Sequence, residues 1–261
     1  MTTITYQNTS YESKTAESVL DTLLRHNIDI PYACKAGVCN ACIMVSDNNE
    51  LSRNCTIGLK ETLVEQGYFL ACQCIPSAPV TVRKADDFGL FSQALVMQKD
   101  FLSEDVCRLR LHLATDLYYR AGQYINLRGP EGQIRSYSLA SLPSEDSFLE
   151  LHIKRMPNGL VSNWLFDDIN LGSTIDLQGA FGNCFYLPNN PDKDILMIST
   201  GTGLAPLVGI LRDALASGHK GQIRLYHGDR EPNGLYLDKE LHSLAEQYDN
   251  VHYIPCVSSP T

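Results

Sequence analysis

The chain has 261 residues, of which 44% are hydrophobic and 20% are charged, and its formal net charge is −9. This length predicts two or three domains, because a single hydrophobic core rarely grows so large. The acidic balance argues against a nucleic-acid partner, which requires clustered lysine and arginine. The opening "MTTITYQNTS" lacks both the basic and the apolar region of a signal peptide, and no apolar run is long enough to cross a membrane. A cytoplasmic protein without membrane contact is therefore predicted.

The first domain is predicted over residues 1–86. "ITYQNTSY" is predicted as a strand, and "AESVLDTLLRHN" as a helix because its apolar residues recur at helical spacing. Further strands are predicted at "ACIMVSDN" and "APVTVRKAD". Between them, "LKETLVEQGYFLACQC" is predicted as a short helical turn, then Gly67, then a strand. "KADDFG" is predicted as a linker.

The second domain is predicted over residues 90–188, where short strands alternate with turn residues. Strands are predicted around Cys107, Leu109 and Leu111, and at "GQYINLRG", "RSYSLAS", "FLELHIKRM" and "STIDLQGAFG". Only "VSNWLFDDI" is predicted to be helical. Many short strands separated by Gly, Pro and Ser indicate an antiparallel barrel.

The third domain is predicted over residues 192–261, where strands alternate with helices. "DILMIST", "QIRLYHGDR" and "VHYIPCVSS" are predicted strands, and "LVGILRDALASG" and "LYLDKELHSLAEQY" are predicted helices. Such alternation indicates a parallel sheet.

Four of the nine cysteines have the spacing of iron–sulfur ligands. Cys34, Cys39 and Cys42 lie in "CKAGVCNAC", and Cys72 follows at a distance. The run C-x4-C-x2-C with a remote fourth cysteine is typical of plant-type [2Fe–2S] clusters. Two sulfide-bridged irons require four thiolates, and the small residues of the loop let backbone N–H groups approach the sulfurs.

Zinc and buried free thiols are the alternatives for these cysteines. Structural zinc usually binds paired C-x2-C elements, and only Cys39 and Cys42 have that spacing, so the pattern favours the iron–sulfur cluster. The fourth ligand is predicted to be Cys72 rather than Cys74, although both are expected on one face of the same strand. Four further cysteines fit no ligand spacing and are predicted to be small buried apolar residues, namely Cys55, Cys107, Cys184 and Cys256.

The segments "PYACKAGVCNAC" and "GYFLACQCIP" resemble the cluster loop and the distal ligand segment of plant-type ferredoxins. The resemblance covers about residues 1–85. It implies a β-grasp fold and a [2Fe–2S] cluster. The ligands that it implies are Cys34, Cys39, Cys42 and Cys72.

"RSYSLAS" contains three side chains suited to a flavin. Arg135 can pair with a phosphate through two hydrogen bonds, Tyr137 offers a flat ring and a hydroxyl, and Ser138 can hydrogen-bond the edge of a heterocycle. An R-x-Y-S strand is common by itself. With "AGQYINL" before it and "LHIKRMPNGLVSNWL" and "LQGAFG" after it, however, the segment resembles the flavin domain of the ferredoxin–NADP reductase superfamily.

This second resemblance implies that FAD rather than FMN is bound, with Arg135, Tyr137 and Ser138 at the isoalloxazine and its phosphate arm. It also implies Gly159, Val161 and Ser162 at the pyrophosphate, near a helix start where backbone N–H groups favour anions.

Two residues of the "HIKR" strand, His152 and Lys154, are predicted to lie near the same cofactor. Side chains exposed to solvent on that strand are the alternative for both residues.

"STGTGLAPL" follows an apolar strand and opens a helix, as a dinucleotide-binding loop does. Gly201 and Gly203 permit a tight turn and a close approach to phosphate. The segment resembles the G-T-G-x-A-P loop of the superfamily's nicotinamide-dinucleotide domain, which implies that Thr200, Gly201, Thr202 and Gly203 bind the nucleotide.

"LYHGDR" resembles the next element of that domain, at the ribose end of the nucleotide. Asp229 could accept a hydrogen bond from a ribose hydroxyl, and Arg230 could meet a 2′-phosphate. Solvated side chains are the alternative for both residues. The sequence leaves NADH and NADPH open, and the domain order favours NADH.

The order ferredoxin, flavin, nucleotide resembles the NADH-dependent reductase components of bacterial multicomponent oxygenases. It implies a multidomain α+β protein with a β-grasp domain, an antiparallel barrel and a partial Rossmann-like domain. It further implies electron transfer from NADH through FAD and the [2Fe–2S] cluster to an oxygenase component. No acid–base pair or activated nucleophile is predicted.

Three alternatives stay open. Reductases of deoxysugar biosynthesis share the domain order, so the acceptor could be a dehydrase. The chain could also be an electron-carrier module without working NADH oxidation, or a zinc-stabilised interaction protein.

The family pattern continues beyond "CVSSPT" with further strands and a cysteine–glycine motif that faces the nicotinamide. The absence of these further strands and of the motif from this sequence predicts that the chain is a fragment of a longer protein or that its third domain is degenerate. The intact strands and loops up to Ser258 favour a fragment, in which a sheet edge is left exposed.

Overall fold

The computed structural model describes residues 1–47, 51–85 and 90–259. The chain divides into two compact units: Met1–Phe91 with Arg128–Ser136, and Ser92–Leu127 with Tyr137–Thr261. Part of the predicted linker "KADDFG", residues 86–89, lies outside the described residues. The three predicted domain ranges stay a prediction.

A mixed five-stranded sheet and a packed helix form the first unit. Its elements are β1 (Thr3–Tyr6), β2 (Thr9–Glu12), α1 (Val19–Arg25), β3 (Ile43–Ser46), α2 (Glu61–Val64), β4 (Tyr68–Leu70) and β5 (Val80–Lys84), with a 3₁₀ turn at Arg53–Thr56. The strand order is β2-β1-β5-β3-β4, and the central pair β1 and β5 is parallel. This order, with α1 buried in the same core as the sheet, confirms the predicted β-grasp fold.

Helix α1 is fixed at both ends by its sequence. The Ser18 hydroxyl accepts a hydrogen bond from the backbone N–H of Asp21 at 3.0 Å and so caps the first turn. Leu20 and Leu23 are fully buried on one face. The helix ends before Asn27, whose φ of +59° cannot continue it. The chain then enters the cysteine loop without regular structure.

The structure corrects two strand predictions in this unit. "ITYQNTSY" forms a hairpin rather than one strand, because Gln7 and Asn8 adopt φ values of +48° and +62° and reverse the chain. The strand at "GYFLACQC" ends at Leu70, and the next three residues form a turn. Cys72 and Cys74 therefore do not share a strand face.

The second predicted domain forms a six-stranded antiparallel sheet of order β10-β7-β6-β11-β8-β9. Its elements are β6 (Ser92–Phe101), β7 (Val106–Leu113), β8 (Tyr124–Arg128), β9 (Ile134–Ser138), β10 (Leu149–Lys154), α3 (Leu160–Asn163) with a π-helical turn at Trp164–Asp168, and β11 (Thr174–Phe181). An antiparallel bridge between Leu139 and Leu151 joins the two edges of the sheet, so the sheet closes as a barrel. Cys107, Leu109 and Leu111 alternate into its core and are fully buried, as their spacing predicts.

The third predicted domain has three parallel strands in chain order. Its elements are β12 (Ile195–Thr200), α4 (Leu204–Ala216), β13 (Ile223–Asp229), α5 (Asp238–Gln247) and β14 (Val251–Val257). This confirms the predicted parallel sheet. Leu196 and Ile198 lie on the same face of β12, and their side chains are 63% and 69% exposed. Among the described residues, that face of the strand is therefore largely uncovered.

In the part of the chain that the structure describes, every helix is too short or too polar to span a membrane.

Candidate functional site

The four predicted ligand cysteines come together in two pairs. Hydrogen bonds join the thiols of Cys34 and Cys39, and those of Cys42 and Cys72. A single tetrahedral zinc would need all four sulfurs around one point. No three His, Cys, Asp or Glu side chains among the described residues are placed to hold one metal ion. Two pairs suit the two irons of a [2Fe–2S] rhomb, so the donor set fits this cluster better than zinc.

Backbone N–H groups of the loop face the sulfurs. The N–H of Ala36 donates to Cys34 Sγ at 3.2 Å, and the N–H of Cys72 donates to Cys42 Sγ at 3.5 Å. The N–H of Gly37 donates to Cys72 Sγ. Gly37 has a φ of +76°, a conformation that favours glycine. The loop therefore supplies donors to both thiol pairs, as a cluster requires.

These contacts also favour the thiolate form of two ligands. Donation by the Cys42 thiol, and then by Gln73 and Gly37, lowers the pKa of Cys72 to about 6. Burial opposes ionisation of Cys34, but donors from the loop outweigh it, so its pKa is lowered as well. Cys39 and Cys42, whose thiols donate these hydrogen bonds, have raised pKa values. Thiolates are the form that binds metal.

Cys74 belongs to a different thiol pair. Its S–H donates to Cys55, and both residues are buried in the core of the first unit at 1% and 0% exposure. The Ser52 hydroxyl lies 3.3 Å from Cys55 Sγ. The structure thus separates Cys72, which is only partly buried and joins the loop, from Cys74, which points into the core.

The prediction for the remaining cysteines is half right. Cys55 and Cys107 are fully buried, as expected. Cys184 and Cys256 are exposed, so the prediction that they are buried is wrong. Nothing in the sequence distinguishes a cysteine at the end of a strand, such as Cys256, from one inside the core.

The predicted flavin residues of the R-x-Y-S segment lie on β9. Arg135 is exposed, and its Nη1 donates to the carbonyl oxygens of Ile134 at 2.8 Å and Tyr32 at 3.4 Å. Tyr137 and Ser138 are half-buried. Arg135 and Tyr137, two residues apart, project to the same side of the strand.

The predicted pyrophosphate residues form the turn that starts α3. The Ser162 hydroxyl donates to the Gly159 carbonyl at 3.3 Å and accepts from the Met156 N–H at 3.3 Å. A Cβ on Gly159 would collide with Ser162 Oγ, so a larger residue here would displace the Ser162 hydroxyl. Val161 is buried in the barrel core. A helix therefore starts at this turn, as predicted. Both hydrogen bonds of the Ser162 hydroxyl are made inside the turn.

His152 is buried at 4% exposure, so the alternative of a solvated side chain is wrong for this residue. Its Nδ1 lies 3.2 Å from the Tyr236 hydroxyl, and its Nε2 lies 3.2 Å from Glu150 Oε1. Burial opposes ionisation of Glu150, but His152 and Arg110 outweigh it and lower its pKa to about 2. His152 therefore links the barrel to the loop before α5, within the second unit.

Six predicted residues line one open cleft of about 1040 Å³ in the second unit. They come from three separate segments of the chain, which the fold brings together. These residues are Lys154, Thr200, Gly201, Thr202, Asp229 and Arg230. Lys154 is partly buried, and its Nζ lies 3.0 Å from Asp105 Oδ2 and 4.0 Å from Asp229 Oδ2.

The nucleotide loop has the predicted strand–turn–helix geometry. Gly201 adopts a φ of +51° in a 3₁₀ turn directly after β12. Gly203 precedes the 13-residue helix α4, whose first N–H groups and dipole favour an anion. With the cations of Lys154 and Arg230 on the same cleft, the arrangement fits a phosphate-bearing nucleotide.

Known families account for each part of this arrangement. The chain matches a 2Fe-2S iron-sulfur cluster binding domain over residues 2–77, an oxidoreductase FAD-binding domain over 93–186 and an oxidoreductase NAD-binding domain over 197–261. It is 35% identical over 258 residues to the reductase subunit of an aromatic O-demethylase from Amycolatopsis sp. (strain ATCC 39116 / 75iv2). The alignment covers 93% of this chain and 76% of that relative. The chain belongs to this family of iron–sulfur flavoprotein reductases.

Other members extend the comparison. The reductase is 31% identical to the ferredoxin–NAD(P)(+) reductase component of naphthalene 1,2-dioxygenase/salicylate 5-hydroxylase systems from Ralstonia sp., over 94% of this chain and 76% of the relative. It is 29% identical to a CDP-6-deoxy-L-threo-D-glycero-4-hexulose-3-dehydrase reductase from Yersinia pestis. That alignment covers 95% of this chain and 77% of the relative. A crystal structure of an Amycolatopsis cytochrome P450 reductase matches with a TM-score of 0.65 at 32% identity, covering all of this chain and 82% of that one.

The reductase is therefore an NAD(P)H oxidoreductase that uses FAD and a [2Fe–2S] cluster. The predicted fold class and cofactors are confirmed. Sequence reasoning did not identify Asp105, which holds Lys154, or Gln73, which contacts Cys72. Asp105 carries no local signal, since it meets Lys154 only through strand pairing. A polar residue between Cys72 and Cys74 was the available signal for Gln73.

Proposed function

We propose that this reductase takes electrons from NADH and delivers them, through FAD and its cluster, to an oxygenase component. The observation that carries the proposal is the pairing of Cys34 with Cys39 and of Cys42 with Cys72, in which the loop of residues 34–42 reaches the surface. Cys34 is exposed, and Val38 is 63% exposed, so a partner protein can approach this loop. The oxygenase assignment draws on the aromatic O-demethylase and dioxygenase relatives.

When bound, the nicotinamide supplies a hydride, the flavin divides the electron pair, and the cluster carries single electrons. Cys34, Cys39, Cys42 and Cys72 hold the cluster in this proposal. The N–H groups of the loop stabilise the negative charge on the sulfurs.

Arg135 binds a phosphate of FAD, and Tyr137 and Ser138 contact the isoalloxazine. The exposed guanidinium of Arg135 already donates to two carbonyl oxygens, and a phosphate would replace these weak partners with a charged one. Gly159, Val161 and Ser162 shape the turn beside the pyrophosphate. Among the described residues, the side chain of His152 hydrogen-bonds Glu150 and the Tyr236 hydroxyl rather than the flavin residues, and so holds the loop before α5.

Lys154 and Arg230 bind the nucleotide phosphates, together with the loop Thr200–Gly203. Asp229 accepts hydrogen bonds from a ribose. Its Oδ1 accepts from the backbone N–H of Arg230 at 2.6 Å, which fixes the carboxylate at the end of β13. A 2′-phosphate beside this carboxylate would be repelled, so we propose that NADH is the preferred donor.

The identity of the acceptor is tested with two purified proteins under anaerobic conditions, a haem component and a hexulose-3-dehydrase. NADH and the reductase are mixed with a haem component, a cytochrome P450 of the kind named for the similar Amycolatopsis reductase, and haem reduction is followed by its absorption under carbon monoxide. We expect reduction with the native chain and none with Cys72→Ser. Reduction of a hexulose-3-dehydrase, but not of the haem component, would contradict the oxygenase assignment and favour the dehydrase alternative.

A further inference from the structure

Gln73 lies between Cys72 and Cys74 in the chain, and its side chain reaches back to the cysteine loop at Lys35. Its Nε2 lies 3.4 Å from Cys72 Sγ and 3.3 Å from the carbonyl oxygen of Lys35. The two N–H groups of one amide can thus serve a ligand sulfur and the loop backbone together. Lys35 directly follows Cys34, so one side chain connects the segments that carry the first and the fourth ligand.

The loop is shaped to receive this side chain. A Cβ on Gly37 would lie 2.7 Å from Cγ and 2.9 Å from Cδ of Gln73. Gly37 therefore leaves the space that the glutamine stem fills. The same glycine donates its N–H to Cys72 Sγ, so this sulfur receives the Gln73 amide and a loop N–H side by side.

The backbone of Gln73 is also held in place. Its N–H donates to the Leu70 carbonyl at 3.0 Å, and its carbonyl accepts from the Cys55 thiol at 3.6 Å. Cys55 is itself fixed by Cys74 and Ser52 in the core. The buried thiol pair thus anchors the peptide from which the amide reaches the ligand.

We propose that Gln73 is a positioning residue that sets the reduction potential of the cluster through its hydrogen bond to Cys72. The inference rests on the proposed ligand set. Reduction adds a negative charge that spreads onto the ligand sulfurs. An N–H donor to a sulfur stabilises the reduced state more than the oxidised one and so raises the potential. Its second hydrogen bond, to the Lys35 carbonyl, ties the loop that carries Cys34 to the segment that carries Cys72.

The test is an anaerobic redox titration of the holoprotein, in which the cluster is followed by electron paramagnetic resonance. Gln73→Leu retains the bulk of the side chain without the donor, and Gln73→Glu adds a charge that repels the sulfur. We expect a potential below that of the native chain for the leucine variant and a lower one still for the glutamate variant. The matched control is Gln66→Leu in the same unit, because the exposed Gln66 lies in the turn after α2 and its side chain donates to the Thr62 carbonyl at 2.8 Å.

A second readout is the half-life of the cluster in the presence of an iron chelator. We expect both Gln73 variants to lose iron faster than the native chain and Gln66→Leu to match it. Where Gln73→Leu does not assemble a cluster, Gln73→Met supplies the same comparison with a flexible stem. An unchanged potential in either apolar variant with an intact cluster would overturn the inference. Absence of a [2Fe–2S] signal from the native chain would instead overturn the ligand set on which it rests.

Discussion

Replacing Cys72 by serine is expected to abolish the [2Fe–2S] cluster, whereas replacing Cys74 leaves it in place. The Cys72 sulfur accepts hydrogen bonds from the Cys42 thiol and from the N–H of Gly37, so its loss removes one of the four proposed ligands. Cys74 points into the core toward Cys55, and its replacement costs about 1–3 kcal/mol of stability, because a buried hydroxyl replaces a thiol. Iron and sulfide content and visible absorption of the purified variants measure the difference.

Cys107→Ser is the matched control for a buried cysteine in the other unit, since Cys107 is fully buried in the barrel core. It should retain the cluster. Loss of the cluster from the Cys74 variant with retention in the Cys72 variant would reverse the ligand assignment. Equal retention in both variants would contradict the four-cysteine site.

Replacing Arg135 by alanine is expected to weaken FAD binding by about 10- to 100-fold. A charge-assisted hydrogen bond to a phosphate contributes about 1.5–3 kcal/mol, and each 1.4 kcal/mol is a tenfold change in affinity. The side chain is exposed and its hydrogen bonds go to the carbonyl oxygens of Ile134 and Tyr32, so the substitution is expected to leave the fold intact. Flavin retained after dilution and filtration gives the dissociation constant.

Arg135→Lys should fall between the native chain and the alanine variant, because lysine keeps the charge but cannot form the paired contact. Arg224→Ala controls for loss of a surface arginine, since Arg224 pairs only with Asp194 at 3.6 Å among the described residues. An FAD affinity of Arg135→Ala equal to that of the native chain would contradict the phosphate role.

Features encoded by local spacing could be predicted from the sequence. The C-x4-C-x2-C run places three cysteines in one short loop, and "STGTGLAPL" forms its turn between a strand and a helix. Alternation at Cys107, Leu109 and Leu111 likewise indicates a half-buried strand, and all three residues are buried in the barrel. These patterns require no knowledge of distant contacts.

Features that depend on tertiary contacts could not be predicted. The hairpin at Gln7 and Asn8 requires positive φ at two residues that are not glycine, and that choice follows from strand pairing. The different roles of Cys72 and Cys74 depend on where β4 ends. His152 reaches Tyr236, 84 residues away, and no local pattern indicates this contact.

The most direct test of the electron path is the visible absorption spectrum of anaerobically purified protein before and after addition of NADH. We expect superposed flavin and iron–sulfur bands, both of which bleach when NADH is added. Bands that bleach only with dithionite would contradict NADH oxidation by this chain. A folded, metal-replete protein without either set of bands would contradict the assignment of both cofactors.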